Sequence, residues 1–448
     1  MARRQCIGIR RELTSLIPTR RLNFLAQLSG LVRRRRKVDA MALFWTVVLG
    51  FNGGRDRSLA GMRRAYQKGT GTTLVPSAFY DRFTKSLAVF MRFVVEELLE
   101  QMQQTEAKFG GVLRSFRDVL VTDSTLVKLH DLLERRFPAC RTNHTRAAAK
   151  LHVVMSVRGE GPRSVKLTSG RQHDGPVFRV GSWVRDRLLM FDLGYFRYQL
   201  FDGIDRNGGH FISRLKENAN PEITAILRRW RGRSVPLVGE RLRDVIERLQ
   251  REVLDVEVEV AFRRRVYAGS QSGARRSLRL VGVRNEETGR YHLYVTNIPP
   301  ERLTAEQVAV IYTGRWQIEL LFKEMKSHYG LEGVPSRKPH IVEALLYATL
   351  VTLVASRRLL RAVREALRGR PHAVPEGRWA AIFAAAAGSI LDLLLAPARL
   401  IRDLANGPSG CCCTRRPIRT CLDHRFSRAS RMEPPGDRPK PSPITPSH

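Results

Sequence analysis

Cysteine is scarce and poorly placed for cross-linking: of six in 448 residues, four crowd together as Cys411, Cys412, Cys413 and Cys421, leaving only Cys6 and Cys140 before them. That excludes a disulfide framework and points to a reducing interior. Acidic residues are also few, 42 against 78 lysines and arginines, for a net charge of +36 and a pI near 11.2. A chain so unbalanced repels itself unless a polyanion is its partner, so nucleic acid is the first candidate. Long apolar runs are missing as well: 344–355 lies between Glu343 and Arg357, and 379–391 is cut by Asp392 and then Pro397. Both fall short of the roughly 18–20 residues of a membrane span, so no membrane partner is expected. The early arginines (Arg3, Arg4, Arg10, Arg11, Arg20, Arg21) come without the apolar core of a secretory signal, which reads as a basic arm facing solvent or DNA.

What is present is enough apolar material, 43% of residues, for two or three packed domains. Residues 1–111 read as a helical domain: 37–51 and 76–107 repeat apolar residues at three- and four-residue spacing. Between them a short basic helix near 58–68, a Gly-bearing turn and a helix opening at Val75-Pro76 form either a DNA-reading helix-turn-helix or a plain hairpin with a solvated basic face. Arg33-Arg-Arg-Arg-Lys37 is a solvated charge run or a contact to DNA backbone.

From residue 112 the pattern turns to β-branched alternation at 119–127, 150–157 and 164–169, three strands in quick succession that imply an antiparallel meander. A helix over 175–187, a strand at 188–192, a helix near 195–204 and a strand at 210–215 follow, the order of a mixed α/β sheet. Residues 219–300 read as a separate β-rich block, an insertion: 254–260 alternates strictly, and 276–283 and 290–296 add strands around the turn signals Gly269 and Asn285. Helical periodicity returns at 303–329 and 341–367, and a further helical region closes at 406. Residues 407–448 hold eight basic and three acidic residues and much of the proline, which cannot bury a core, so disorder is expected there and nearly all the positive charge belongs to the preceding chain.

Three carboxylates stand out by position. Asp123 sits inside an apolar strand, where an unpaired charge is costly, and Asp192 ends a strand, at the edge where open α/β sheets gather their sites. Each also has a local alternative: Asp123 bonding Ser124 or Thr125, and Asp192 capping the turn at Gly194. Glu319 is the third. On one continuous helix at about 100° per residue, Tyr312 and Lys326 fall about 20° from it and Arg315 and Lys323 about 40°, whereas Glu324 falls about 140° away. The pairs Arg315–Glu319 and Glu319–Lys323 have the spacing of a surface ion-pair stripe, but a Tyr, Trp316 and three cations around one acid also suit phosphates and an unstacked base. Lower candidates are His152, His173 and Asp174, a metal site or a hydrogen-bonded structural group, and the Cys411–Cys413 cluster with Cys421 and His424, which lacks paired zinc spacing.

The order Tyr312-x2-Arg315-x3-Glu319-x6-Lys326, preceded by Asp123 in Val-Thr-Asp-Ser-Thr and Asp192 in Phe-Asp-Leu-Gly-Tyr-Phe, resembles the Tyr–Arg–Glu–Lys signature of the insertion-sequence-4-like group of bacterial DDE transposases over roughly residues 40–365. The resemblance implies an α/β fold: an RNase H-like mixed-sheet catalytic core (112–218 and 301–367) interrupted by the β-rich insertion (219–300), with an N-terminal helical DNA-binding domain and C-terminal helices (368–406). It implies Asp123, Asp192 and Glu319 as catalytic metal ligands for two Mg²⁺ ions, with Mn²⁺ as a substitute, since three repelling acids need divalent charge between them. It makes Tyr312, Arg315, Trp316, Lys323 and Lys326 the DNA-binding set, double-stranded inverted-repeat ends and target DNA the partners, a homodimer the synaptic unit, and the bacterial nucleoid in the cytoplasm the location. Cut-and-paste transposition is the activity expected. The competing readings are an RNase H-like nuclease, which needs the acids but not the basic face, and a decayed end-binding repressor.

Overall fold

A computed structural model describes residues 8–33, 39–51, 57–104, 109–140, 144–157, 161–228, 236–264, 272–367 and 374–396. Most of the Arg33–Lys37 run, Gly269 and the tail with its cysteines lie outside them. In chain order the helices are α1 (Ile9–Leu16), α2 (Thr19–Leu28), α3 (Ala40–Trp45), α4 (Leu59–Thr70), α5 (Pro76–Tyr80), α6 (Lys85–Gln104), α7 (Asp174–Val177), α8 (Tyr198–Arg206), α9 (Leu242–Ile246), α10 (Ala305–Thr313), α11 (Trp316–His328), α12 (Pro339–Ala366) and α13 (Glu376–Leu395). The strands are β1 (Asp118–Lys128), β2 (Ala148–Ser156), β3 (Pro162–Ser169), β4 (Arg187–Phe191), β5 (His210–Arg214), β6 (Glu222–Ile226), β7 (Val253–Arg263), β8 (Gly273–Arg284) and β9 (Tyr291–Thr296).

Among the described residues, the nine strands make one sheet in the order β3-β2-β1-β4-β5-β9-β8-β7-β6. β1–β3 form the antiparallel meander that the alternation implied, and β4 and β5 then run parallel to β1. The 219–300 block, expected to stand apart, instead extends the same sheet, because β9 pairs antiparallel with β5. Its inner pairing is strong: Arg279 on β8 donates to both oxygens of Asp255 on β7 at 2.8 and 2.6 Å and to the carbonyls of Ile298 and Leu303, tying the block to the start of α10.

The helix expected over 175–187 does not form. Pro176 and the fully extended Gly181 (φ −163°) break it into the single turn α7 and a 3₁₀ turn, Ser182–Val184, while Phe178 inserts against Phe191 and Tyr195. Between α4 and α5 the chain leaves through Gly71 at φ +68°, a left-handed cap that favours glycine. α5 is only five residues long, too short for the recognition helix of a helix-turn-helix.

The sheet divides two cores. One holds Val119, Val121, Leu188 and Met190 with α3, α6 and α10–α13; the other holds Leu120, Leu189 and Phe191 with α8 and α9. α12 runs through the first core against α6, and Thr352 on it donates to the Val48 carbonyl, a backbone acceptor in the π-helical turn Thr46–Gly50. By length and composition α12 and α13 could each cross a membrane, longer than the apolar runs in the sequence because scattered polar residues do not end a helix. α12 is largely buried within the protein, and α13 packs against α4 and α11.

Candidate active site

The pleat explains how two acids far apart in sequence reach the same place. On β1 the odd positions Val119 and Val121 face the first core, and on β4 the even positions Leu188 and Met190 do. Asp123 continues the odd series, and Asp192, still extended at φ −76° and ψ 162°, continues the even one. The strands are parallel with Thr122 beside Phe191, so the two aspartates follow side by side at neighbouring strand positions on the face that α11 covers. Adjacent strands lie about 4.8 Å apart, so their charges interact strongly. The Asp123 carboxyl is pushed up to about 6, first by burial and also by the Asp192 charge, while a hydrogen bond from the Ser124 backbone N–H and the charge of Arg315 oppose the rise.

α11 presents the third acid. Its Ile318, Leu321, Phe322 and Met325 enter the core, and Glu324 turns inward to pair with Arg357 of α12, leaving Glu319 on the partly open face. Arg315 joins the acids: its Nη2 donates to Glu319 Oε1 at 2.6 Å and its Nη1 lies 3.8 Å from Asp192 Oδ1. Asp192 does not cap its turn through the side chain, whereas Asp123 does bond the Ser124 N–H at 2.7 Å.

One member of the set is buried beside the acids rather than open to solvent. The expectation of a single helix from Tyr312 to Lys326 fails at Gly314 and Arg315, where i→i+3 bonds (Gly314 N–H to Ile311, Arg315 N–H to Tyr312) tighten the chain into a 3₁₀ turn between α10 and α11. Glycine suits this turn, since a Cβ at 314 would sit 3.1 Å from the Ile311 carbonyl. Tyr312 is therefore not on an open phosphate-facing surface: it is 6% exposed, its hydroxyl donates to the Phe191 carbonyl at 2.9 Å, and burial raises its pKa to about 12. Trp316, 58% exposed, and Lys323 do reach solvent; Lys326 is half-buried and pairs with Glu332 at 2.8 Å.

The donor set suits a divalent cation in part. Two aspartates share one edge, and the raised Asp123 carboxyl is the electrostatic signature of a site that would welcome positive charge. Glu319 is closed on Arg315, and among the described residues no three His, Cys, Asp or Glu side chains are gathered closely enough to hold a metal ion.

Sequence reasoning undervalued Asp174. It accepts a 2.7 Å bond from the Ser124 hydroxyl and lies 3.4 Å from Lys150 and 3.3 Å from His152, while His173 is exposed and outside the group. The sequence offered His152 and Asp174 as a metal site or a hydrogen-bonded structural group; their contacts are of the second kind, and nothing in the sequence tied them to Ser124. A cavity of about 360 Å³ on the opposite sheet face excludes the three acids, and three of its cations are engaged: Arg163 lies 3.4 Å from Asp118, Lys166 donates to the Val177 carbonyl and Arg187 to that of Trp183.

With this geometry in place, the likeness to known proteins has a structural counterpart. The profile of the transposase DDE domain matches residues 114–355, spanning β1 through most of α12. The chain belongs to the DDE transposase family. It is thus a DNA transposase, an enzyme that cleaves DNA strands and transfers them. It is 24% identical over 375 residues to the transposase for insertion sequence element IS231F of Bacillus thuringiensis subsp. israelensis, covering 76% of this chain and 77% of that protein. It is 21% identical over 365 residues to the transposase for IS1151 of Clostridium perfringens, covering 75% and 76%. The putative transposase InsL for IS186A of Escherichia coli (strain K12) is 38% identical over 77 residues, 17% of this chain and 21% of that one. Among solved structures, the piggyBac transposase synaptic complex with hairpin DNA aligns at a TM-score of 0.49 with 11% identity, covering 97% of this chain and 88% of that one.

Proposed function

We propose that this DDE transposase performs cut-and-paste transposition of a bacterial insertion sequence, in the Tyr–Arg–Glu–Lys group, using Asp123, Asp192 and Glu319 as its three acids. One observation carries the reading: Asp123 and Asp192 emerge side by side from parallel β1 and β4 on the face where α11 brings Glu319. The β3-β2-β1-β4-β5 order, with β2 and β3 antiparallel and β4 and β5 parallel to β1, supports an RNase H-like core that β6–β9 extend as the insertion.

Asp123 and Asp192 would hold the divalent ions, Mg²⁺ or Mn²⁺, and Glu319 would complete the set once Arg315 releases it. Bound there, the ions supply Lewis acidity toward phosphodiester oxygens during in-line displacement. The chain's own groups do the rest. Arg315, drawn by phosphate, leaves Glu319 for a charge-assisted bond to the DNA. Lys323, Lys326 and Trp316 line the open side of α11, where two cations and an exposed ring suit a cleaved strand end. Tyr312 does not contact DNA in this scheme; it braces the strand end before Asp192. The helical segment 1–111 would bind the inverted-repeat ends, two copies would synapse them, and the nucleoid would be the site of action; the +36 charge supports the DNA partner.

The test is Asp123→Asn, Asp192→Asn and Glu319→Gln, assayed by gel shift on the element ends and by Mg²⁺-dependent cleavage. Each should abolish strand cleavage and leave end binding intact, because a lost ligand removes transition-state stabilisation rather than DNA contacts. Near-normal cleavage by any one of them removes that residue from the site.

A further inference from the structure

We propose that Asp174 is a positioning residue for the reaction, orienting the Asp123 carboxylate through a latch made by Ser124. This rests on Asp123 being one of the three acids.

The latch answers a defect in the strand pairing. β1 pairs with β4 only from Asp118 to Thr122, whereas its pairing with β2 runs on from Leu120 to Lys128. Asp123 is therefore the first residue of β1 without a parallel neighbour, and from there the sheet holds the strand on one side alone. A half-paired strand end is free to shift by fractions of an ångström, and a carboxylate at that point shifts with it.

Ser124 supplies restraint at that point. Its backbone N–H donates to Asp123 Oδ1 at 2.7 Å. Its side chain, sent to the opposite sheet face by the pleat, donates from Oγ to Asp174 Oδ1, also at 2.7 Å. One residue thus joins an acid on each face, and a turn of the peptide plane carrying the N–H to Asp123 strains the Oγ bond to Asp174.

Asp174 is itself held firmly. It lies in the turn α7 after β3, with Lys150 Nζ at 3.4 Å and His152 Nδ1 at 3.3 Å from β2, and His152 Nε2 meets Thr168 Oγ1 of β3 at 2.9 Å. Burial pushes its carboxyl up, but bonds from His152 and Ser124 and the Lys150 charge outweigh that and hold it at about 2, so it accepts as a carboxylate at any working pH. The next residue, Gly175, leaves room for the Arg197 guanidinium, whose central carbon lies 2.6 Å from where a Cβ would stand. The anchor thus draws on β2, β3 and the turn, and passes their rigidity to the unpaired part of β1.

The experiment uses the full chain with four variants. Ser124→Ala removes only the hydroxyl link, leaving the ion pairs of Asp174 intact; Asp174→Ala removes the anchor; the double variant joins them; Ser124→Thr keeps the hydroxyl. Cleavage rate in Mg²⁺, end binding by gel shift, thermal unfolding and Mn²⁺ affinity by calorimetry without DNA are measured on each. Ser124→Ala should slow cleavage by about 10–100-fold and weaken Mn²⁺ binding about tenfold, with end binding and unfolding temperature near wild type. The double variant should lose no more than the worse single one, because the two groups act through one bond, and Ser124→Thr should recover most of the rate. Unchanged cleavage and Mn²⁺ binding in Ser124→Ala, independent multiplication of the two losses, or failure of Ser124→Thr to recover would each overturn the latch. Asp123→Asn is run alongside: if it abolishes cleavage while Ser124→Ala does not, only the latch falls; if it too cleaves normally, both the latch and the role of Asp123 fall.

Discussion

Arg315 and Glu319, one turn apart on the strand-facing side of the 314–319 segment, are joined by a 2.6 Å hydrogen bond from guanidinium to carboxylate. The same guanidinium reaches to 3.8 Å from Asp192, so without DNA a fixed positive charge stands among the acids. Such a pair at four-residue spacing would be a minor surface interaction on an isolated helix. Beside two aspartates, it becomes a competitor for whatever cation those acids attract.

Arg315→Gln should therefore raise the DNA-free affinity for Mn²⁺. A guanidinium about 4 Å from a carboxylate interacts with it by about 4 kcal/mol at an effective dielectric of about 20, so even a fraction of that released to an incoming ion is about tenfold in affinity. Calorimetric titration checks it, and strand joining on a pre-cleaved end should fall in the same variant. Weaker or unchanged Mn²⁺ binding would show that Arg315 does not compete.

Tyr312→Phe should behave as a stability variant. It removes one hydrogen bond and leaves the Phe191 carbonyl without that donor, a loss of about 1 kcal/mol in chemical unfolding. Affinity for element ends and its dependence on salt should not move, since the buried ring reaches no phosphate. A large loss of end binding at unchanged stability would restore Tyr312 to the DNA-facing set.

His210 sets a pH dependence away from the acids. Burial, then the neighbouring Arg302 whose Nη1 lies 2.6 Å from its Nε2, lowers its pKa from the usual 6.5 to about 4. The unfolded chain thus binds a proton that the folded chain refuses, so this contribution is complete above pH 6.5 and is lost as pH falls toward 4. The loss is about 2–3 kcal/mol over that window. Unfolding free energies for wild type and His210→Asn at pH 7 and pH 4.5 check it; the variant should lack this part of the decline.

Asp255→Ala should be severe although it lies far from the acids. It strands the buried Arg279 guanidinium, whose remaining bonds go to the Ile298 and Leu303 carbonyls, at about 3–5 kcal/mol. Because Leu303 leads directly into α10, cleavage should fall along with stability, and thermal unfolding beside the cleavage assay reads both.

Much of the site was legible in order and spacing. Short β-branched and apolar runs placed β1, β4 and β5, the abrupt charge inside an apolar strand singled out Asp123, and the acid at a strand end singled out Asp192. The amphipathic pattern of α11 also sent Glu319 outward and Glu324 inward. These are local facts, because a side chain's face follows from its parity on a strand or its phase on a helix.

Tertiary structure decided which faces meet. Nothing in the period of β1 or β4 says that Thr122 lies beside Phe191, yet that register alone brings the two aspartates together. The turn at Gly314 and Arg315 interrupts the helix between Tyr312 and Glu319, because i→i+3 and i→i+4 bonds differ in rotation while looking alike in sequence. Ser124 and Asp174, fifty positions apart, meet only because β2 and β3 fold the chain back beside β1. The acids and their phases are a property of neighbouring residues; their assembly into a site depends on contacts between distant ones, which periodicity does not record.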